Sequence, residues 1–423
     1  MAHGTAWTWA HYTGAQHISR TARRLPRRMK GRPPMDESQA YRDTIPAAPH
    51  ASSNTPTHDA STNAPVDGPI SAAASKATVE MLRRMPKAEL HLHIEGTLEP
   101  ELALRLARRN GVTLPWKDLG TLRQQYEFSN LQSFLDLYYQ LMGVLRTADD
   151  FRDLMLDYLD RAAADGVRHA EIFFDPQVHM ANGISLDTVM DGLLEGLRIG
   201  GERHGITGSL IVCIVRDMPV DSAEALLDRI APRVGDLVGI GLDSAEVGYP
   251  PSLFTKVFAR ARRMGLRVVA HAGEEGPADY VGEALDLLRA ERIDHGCRAI
   301  DDETLVGRLV EAHVPLTMCP LSNLRLNVVD DLRDLPIRRY LDAGVVVTVN
   351  SDDPAYFGGY IGDNYRALYD IGYTLDDLAR CARASITGSF ADETRQRALL
   401  EEFDAWHATA AIEGTARPDS TLA

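Results

Sequence analysis

Residues 266–296 read LRVVAHAGEEGPADYVGEALDLLRAERIDHG, and they contain one complete repeat of the pattern that runs along the chain. It holds two short apolar runs, Leu266–His271 and Arg292–His295, with a helical pattern between them. Short, nearly continuous apolar runs are typical of strands that are buried on both faces. Polar side chains follow directly after each run. The stretch therefore predicts a strand–helix–strand unit with reactive groups at its strand ends.

Six further runs of the same kind occur along the chain, and helical patterns separate them. They are Ala88–His93, Arg168–Asp175, Ser209–Arg216, Leu237–Asp243, Val314–Cys319 and Val345–Asn350. Eight strands that alternate with helices predict an α/β fold, namely a (β/α)8 TIM barrel. A doubly wound open sheet is the alternative. No G-x-G-x-x-G or Walker loop follows the first run, which disfavours the nucleotide-binding versions of that sheet.

Composition and charge restrict the classes of partner. No apolar run reaches the roughly 18–20 residues of a membrane-spanning helix. The net charge of −15 disfavours binding to nucleic acids. The four cysteines lie far apart without a C-x-x-C pair, which fits a reducing, cytoplasmic compartment. We expect a small-molecule substrate and neither a membrane nor a nucleic-acid partner, while homo-oligomerisation stays open.

The start of the chain differs in composition from the remainder. Residues 1–35 contain seven Lys or Arg residues and no acid, and residues 46–69 have Val66 as their only large aliphatic side chain. Such a segment buries too little apolar surface to offset the entropy lost on ordering. We predict a disordered extension over residues 1–78, the barrel over 79–414 and a disordered tail over 415–423. A transit peptide is the alternative interpretation of the Arg-rich start.

About 60 extra residues separate the first helix from the second strand. Apolar side chains recur there at helical spacing from Leu131 to Met142 and from Phe151 to Leu159. The insertion follows the C-terminal end of the first strand, where barrels keep their active sites. We therefore predict a helical lid over the mouth of the barrel.

Unusual polar residues lie at the ends of runs one, five, six and eight. They are His91, His93, His271, Glu274, His295, Asp352 and Asp353. Residues two apart on a strand point to the same side, so His91 and His93 can both face the barrel axis. Because the carboxyl ends of all eight strands surround one mouth, the coincidence predicts a single site there.

Three imidazoles and one carboxylate form a donor set that suits a catalytic zinc ion. They belong to His91, His93, His271 and Asp352. Zinc lowers the pKa of bound water to about 7, which makes hydroxide available at neutral pH. The fourth run ends in Asp243-Ser244 and not in a lysine that could be carbamylated to bridge two metals. We expect one Zn²⁺ per chain.

The remaining groups suit proton transfer and substrate binding. Glu274 follows the ligand His271 by three residues, and a carboxylic acid beside an apolar interior can keep its proton and donate it. His295 can accept a proton from the attacking water or orient it. Asp353 is left free to hydrogen-bond a substrate.

These motifs resemble the adenosine/adenine deaminase family of the amidohydrolase superfamily. The matching stretches are KAELHLHIEGTLE (87–99), AHAGEEG (270–276), RIDHG (292–296), PLSN (320–323) and NSDDPAY (350–356). The resemblance covers nearly all of residues 80–400 in the same order. It implies zinc on the four residues named above, Glu274 as proton donor, His295 as a catalytic residue and Asp353 on the purine.

Within the family the chain looks closest to members that act on the free base adenine. The supporting stretches are FFDPQ (173–177), GLDSAEVGYPP (241–251) and SDDPAYFGGY (351–360). Nucleoside-acting members place an aspartate that meets the ribose where this chain has Glu95, whose extra methylene would occupy space that the sugar needs. The resemblance thus implies hydrolytic deamination of adenine to hypoxanthine and ammonia, in purine salvage, with Glu95 as a substrate-binding residue. Adenosine deamination, another metal-dependent hydrolysis and a non-catalytic zinc-binding scaffold are the alternatives.

Overall fold

The protein is described by a computed structural model that covers residues 76–415, with side chains up to residue 410. Eight strands form one sheet in the order of the sequence. They are β1 (Lys87–His93), β2 (Val167–Phe174), β3 (Thr207–Val215), β4 (Leu237–Asp243), β5 (Arg267–Ala272), β6 (Arg292–His295), β7 (Leu316–Met318) and β8 (Val347–Val349). All seven neighbouring pairs are parallel. The prediction of a (β/α)8 barrel is confirmed.

Helices connect the strands on the outside. They are α1 (Lys76–Arg84), α2 (Pro100–Arg109), α3 (Leu119–Arg123), α4 (Leu131–Met142), α5 (Ala148–Ala164), α6 (Pro176–Ala181), α7 (Leu186–His204), α8 (Val220–Ile230), α9 (Thr255–Arg263), α10 (Ala278–Glu283), α11 (Glu303–Glu311), α12 (Pro320–Arg325), α13 (Ile337–Ala343), α14 (Pro354–Phe357), α15 (Ile361–Asp370), α16 (Leu375–Thr387) and α17 (Glu393–Thr415). Helix α7 ends at Gly205, which has a φ of 71°. A 3-10 turn, Pro251–Phe254, directly precedes α9.

The barrel closes through the residues that follow β8. The backbone N–H of His93 donates to the carbonyl of Asp352, and the N–H of Asp352 donates to the carbonyl of His91, both at 3.1 Å. The side chain of Asn350 accepts from the N–H of Leu90 at 2.8 Å. The edges of the sheet therefore pair with each other at the rim that carries the predicted site.

The barrel interior alternates with the outer core along each strand, as the two-residue period of a strand requires. Phe173, Ile211, Cys213 and Val269 form a small buried cluster of their own, apart from the main core between strands and helices. A fully buried ion pair joins Glu171 of β2 to Arg292 of β6 at 2.6 Å. Arg292 also donates to the carbonyl of Leu90. This pair ties opposite sides of the barrel together.

The insertion after β1 is helical, as its periodicity predicts. Helix α5 packs along α7, where Gly192, Gly196 and Gly200 have no room for a Cβ atom against α5. Helix α4 instead lies at the mouth, where Phe134 contacts the ring of Phe357 with centroids 4.7 Å apart. Helix α4 therefore lies where the sequence predicts a lid.

The predicted disordered extension and tail lie outside the described residues, except for residues 76–78 and 415 at their edges. Residues 76–78 form the start of α1, and Thr415 is the last residue of α17. Among the described helices, none is both long and apolar enough to cross a membrane.

The buried ion pair yields a test of stability. We expect Glu171→Ala to lower the free energy of unfolding by about 3–5 kcal/mol, because it leaves the Arg292 charge buried and unpaired. Glu202→Ala removes the exposed partner of Arg198 and should cost less than about 1 kcal/mol. Urea unfolding of both variants measures the difference, and equal losses would contradict a structural role for the interior pair.

Candidate active site

A cavity of about 40 Å³ opens at the C-terminal ends of the strands. Its wall contains six of the eight predicted site residues: His93, His271, Glu274, His295, Asp352 and Asp353. His91 lies directly beneath this wall, fully buried, with its ring centroid 4.6 Å from that of His271. Helix α4 contributes Leu131, Phe134, Leu135, Tyr138 and Tyr139 to the wall. The Tyr139 hydroxyl also lies 2.7 Å from the Ser244 hydroxyl at the end of β4.

His91 is held so that one ring nitrogen remains free. Its Nδ1 lies 2.9 Å from the Thr317 hydroxyl, which itself donates to Asp294. Thr317 must therefore accept from Nδ1–H, which leaves the lone pair on Nε2. Nε2 lies 3.2 Å from Oδ1 of Asp352. Among the described residues no hydrogen-bond partner reaches this buried nitrogen, so it can serve as a metal ligand.

His271 and His93 converge on the same point. Nδ1 of His271 lies 3.0 Å from the carbonyl of Leu242, an acceptor that fixes the proton on Nδ1 and leaves Nε2 free. Nε2 of His93 lies 3.2 Å from Nε2 of His271 and 3.6 Å from Asp352. Burial lowers the pKa of His93 to about 4 and that of His271 well below its usual value. Both rings are thus neutral, as metal ligands must be.

Asp352 carries the negative charge of the cluster. Burial opposes ionisation, but the adjacent rings of His91, His295 and His93 hold the pKa of the Asp352 carboxyl well below its usual value. Its backbone adopts a φ of 65°, an uncommon conformation for a residue with a side chain. The closing hydrogen bonds to β1 hold it there.

Three of these donors form a group of four with His295. Ligand atoms of His91, His271, His295 and Asp352 all lie within 4.8 Å of one another, whereas His93 groups with Asp352 and Asp353. Asn323 of α12 donates to Nδ1 of His295 at 3.2 Å and to Glu274 at 3.1 Å. His295 therefore carries its proton on Nε2, 3.5 Å from Glu274. That tautomer makes His295 a poorer ligand than His93.

Glu274 is a buried acid in a loop that another acid shapes. The Glu246 carboxylate accepts four consecutive backbone N–H groups, from Gly273 to Gly276, at 2.6–3.0 Å. Burial, together with the Asp352 charge, raises the pKa of Glu274 well above its usual value. At neutral pH Glu274 therefore holds a proton at the edge of the cavity.

Asp353 packs against the turn after β1. A Cβ atom on Gly96 would lie 2.0 Å from Oδ1 of Asp353, so only glycine fits there. Burial and the neighbouring Asp352 charge raise the pKa of Asp353 well above its usual value. Its Oδ1 has no hydrogen-bond partner among the described residues, which leaves it available to a ligand.

The structure places Glu95 away from the cavity wall, although the sequence predicts a direct contact with substrate. Its carboxylate accepts from His179 Nε2 at 2.9 Å and from the N–H of Asp175 at 3.1 Å. Glu95 is fully buried behind Asp175 because the 3-10 turn Glu95–Thr97 directs it toward β2. The contacts of Glu95 thus fix the position of Asp175, which faces the cavity.

Sequence reasoning missed several residues of the site. Asp175 and Asp243 line the wall, Asn323 links Glu274 to His295, and Glu246 shapes the loop. Asp175 and Asp243 do follow apolar runs, so the strand-end criterion that selected the histidines could have found them. Asn323 and Glu246 lie on a helix and a loop, where only the folded chain shows their partners.

The chain matches a family model described as adenosine deaminase over residues 86–406. An adenine deaminase of Streptomyces coelicolor is 56% identical over 339 residues, which cover 79% of this chain and 100% of the relative. One from Caulobacter vibrioides is 52% identical over 338 residues, covering 79% of this chain and 98% of the relative.

Solved structures show the same architecture. An adenine deaminase from Arthrobacter aurescens superimposes with a TM-score of 0.75 at 52% identity, covering 76% of this chain and 99% of that one. An amidohydrolase from Burkholderia ambifaria with bound Zn has a TM-score of 0.74 at 29% identity, covering 81% of this chain and 96% of that one.

The contacts of Glu246 lead to a prediction about its loop. Glu246→Gln replaces a charged acceptor with a neutral amide that has one acceptor oxygen, so at least one of the four N–H groups loses its partner and the others lose a charged acceptor. Each charge-assisted hydrogen bond is worth about 1.5–3 kcal/mol, so amide hydrogen exchange over residues 273–276 should become about 10- to 100-fold faster. The amides of β4 serve as the internal control. Unchanged exchange in the loop would show that Glu246 does not hold it.

Proposed function

The chain belongs to the adenosine deaminase family, and we propose that it catalyses the hydrolytic deamination of adenine to hypoxanthine and ammonia. The observation that carries this proposal is the 56% identity to the S. coelicolor adenine deaminase over that protein's whole length. The buried acid Glu274 beside a cluster of buried imidazoles supports the same chemistry. We place the activity in purine salvage in the cytoplasm.

We assign one Zn²⁺ to His91, His93, His271 and Asp352. The free Nε2 of His91 and the hydrogen bonds on the Nδ1 sides of His91 and His271 support this set. Three imidazoles and one carboxylate suit zinc, and the relative from B. ambifaria has bound Zn. When bound, the metal supplies Lewis acidity that makes a water molecule nucleophilic at neutral pH.

Glu274 transfers the proton, and His295 orients the attacking water. Glu274 donates its proton to N1 of adenine, which makes C6 electrophilic and draws the purine edge toward the ligand cluster. Burial lowers the pKa of His295 to about 3, so its ring is neutral, and its Nε2–H can orient the water that attacks C6. Asn323 contacts both groups and keeps them 3.5 Å apart.

Binding of the purine falls to Asp353 and the helix α4. The free Oδ1 of Asp353 lies at the end of β8, next to the ligand Asp352, and fixes N7 of the base. The aromatic side chains of α4 cover the cavity, so we infer that α4 acts as a lid that excludes bulk water. Tyr139 secures this lid to Ser244 on the opposite rim. Glu95 does not contact the purine directly but holds Asp175 in position.

A substrate panel on metal-analysed enzyme tests the proposed function. We expect kcat/KM for adenine to exceed that for adenosine and deoxyadenosine by about 100-fold or more, measured as ammonia release. A preference for adenosine would establish the nucleoside activity instead. Absence of ammonia release from all purines would reject deamination.

The proposed proton donor gives a second test. Glu274→Gln should retain bound metal and fold but lose at least about 100-fold in kcat, because the amide cannot supply the proton. Glu275→Gln changes the exposed acid next to it and should leave kcat nearly unchanged. Metal content and turnover of both variants decide the matter; full activity of Glu274→Gln would contradict its role.

A further inference from the structure

Asp175 has a buried carboxyl group that accepts fewer hydrogen bonds from the described residues than buried acids usually do. It is 2% exposed and lines the cavity at the end of β2. Among the described residues, no N–H group donates to its Oδ1, and its side chain makes no cap to α6, which begins directly after it. Buried acids are usually satisfied by several donors. Glu246, equally buried, accepts four N–H groups in the same site.

A second carboxyl group stands beside it. Asp243 at the end of β4 hydrogen-bonds the Asp175 side chain, and its Oδ1 likewise receives no N–H or O–H from the described protein groups. Glu95 and His179 hold Asp175 from behind through its backbone. Two carboxyl groups thus present hydrogen-bonding oxygens to the cavity from a rigid support.

The order of groups around the rim matches the perimeter of a purine. With C6 near the ligand cluster, Glu274 after β5 meets N1 and Asp353 after β8 meets N7. Between them, in strand order, come Asp243 after β4 and Asp175 after β2. The purine perimeter between N1 and N7 presents N3 and then N9. The two carboxyl groups therefore face the N3–C4–N9 edge.

We propose that Asp175 accepts the N9–H of the free base while Asp243 contacts N3, and that this pair selects free adenine over 9-substituted purines. The inference rests on the proposed function. In free adenine this edge holds one acceptor and one donor separated by a single carbon. A carboxyl pair that retains one proton complements both, because Asp243 donates that proton to N3 while Asp175 accepts from N9–H. A nucleoside has no N–H at position 9 and would leave a buried acceptor unpaired, which a site built to bind an N–H penalises severely. Asp175 is thus a specificity-determining residue.

The test compares adenine with 9-methyladenine, which lacks the N9–H, in wild-type enzyme and Asp175→Ala. We expect Asp175→Ala to lose about 100-fold in kcat/KM for adenine, mainly through KM, and only a few-fold for 9-methyladenine. Asp175→Asn retains a carbonyl acceptor and should recover part of the adenine activity. Asp217→Ala removes an exposed carboxylate after the neighbouring strand β3 and should change neither substrate.

Three results would overturn the inference. Equal losses on both substrates would show that Asp175 acts on the fold and not on the N9 edge. A fall from two metal ions to one per chain in Asp175→Ala would show that the pair, with His93, holds a second cation. A wild-type enzyme that deaminates adenine and 9-methyladenine equally well would also refute it, even if no variant folds. A wild type inactive on adenine would instead reject the proposed function.

Discussion

Two backbone hydrogen bonds between Asp352 and β1 underlie both the closed barrel and the site. They pair the backbone of Asp352, after the last strand, with His91 and His93 of the first strand. The Asp352 carboxylate therefore lies next to both imidazoles. Asp352 adopts a left-handed backbone at a cost of about 1–3 kcal/mol. The hydrogen bonds of strand pairing offset this cost. The geometry of the cluster is therefore fixed before any ligand binds.

Burial then gives each group in the cluster its own protonation state. The imidazoles of His93, His271 and His295 become neutral, Asp352 stays ionised, and Glu274 retains a proton. A cation site needs the first two conditions and a proton donor needs the third. Supporting groups such as Thr317, Asn323 and Glu246 then orient these side chains without entering the cavity themselves.

The sequence predicts the barrel and most of the site because apolar strands alternate with helices and reactive residues follow strands. The ends of β4 and β6 match the predicted runs to the residue. Glu95 shows the limit of this reasoning. Its position in a motif suggests a substrate contact, yet the turn after β1 directs its carboxylate to His179. The partners of Asn323 and Glu246 likewise depend on distances in space that no spacing along the chain encodes.

We propose that four residues, from β1, β5 and the segment after β8, share one cation. Crystals of the protein grown with Zn²⁺, with anomalous diffraction at the zinc edge, test it directly. We expect one ion per chain, about 2.0–2.2 Å from His91, His93, His271 and Asp352, with Glu274 and His295 outside the coordination sphere. An ion ligated by His295 in place of His93, or no ion at this rim, would contradict it.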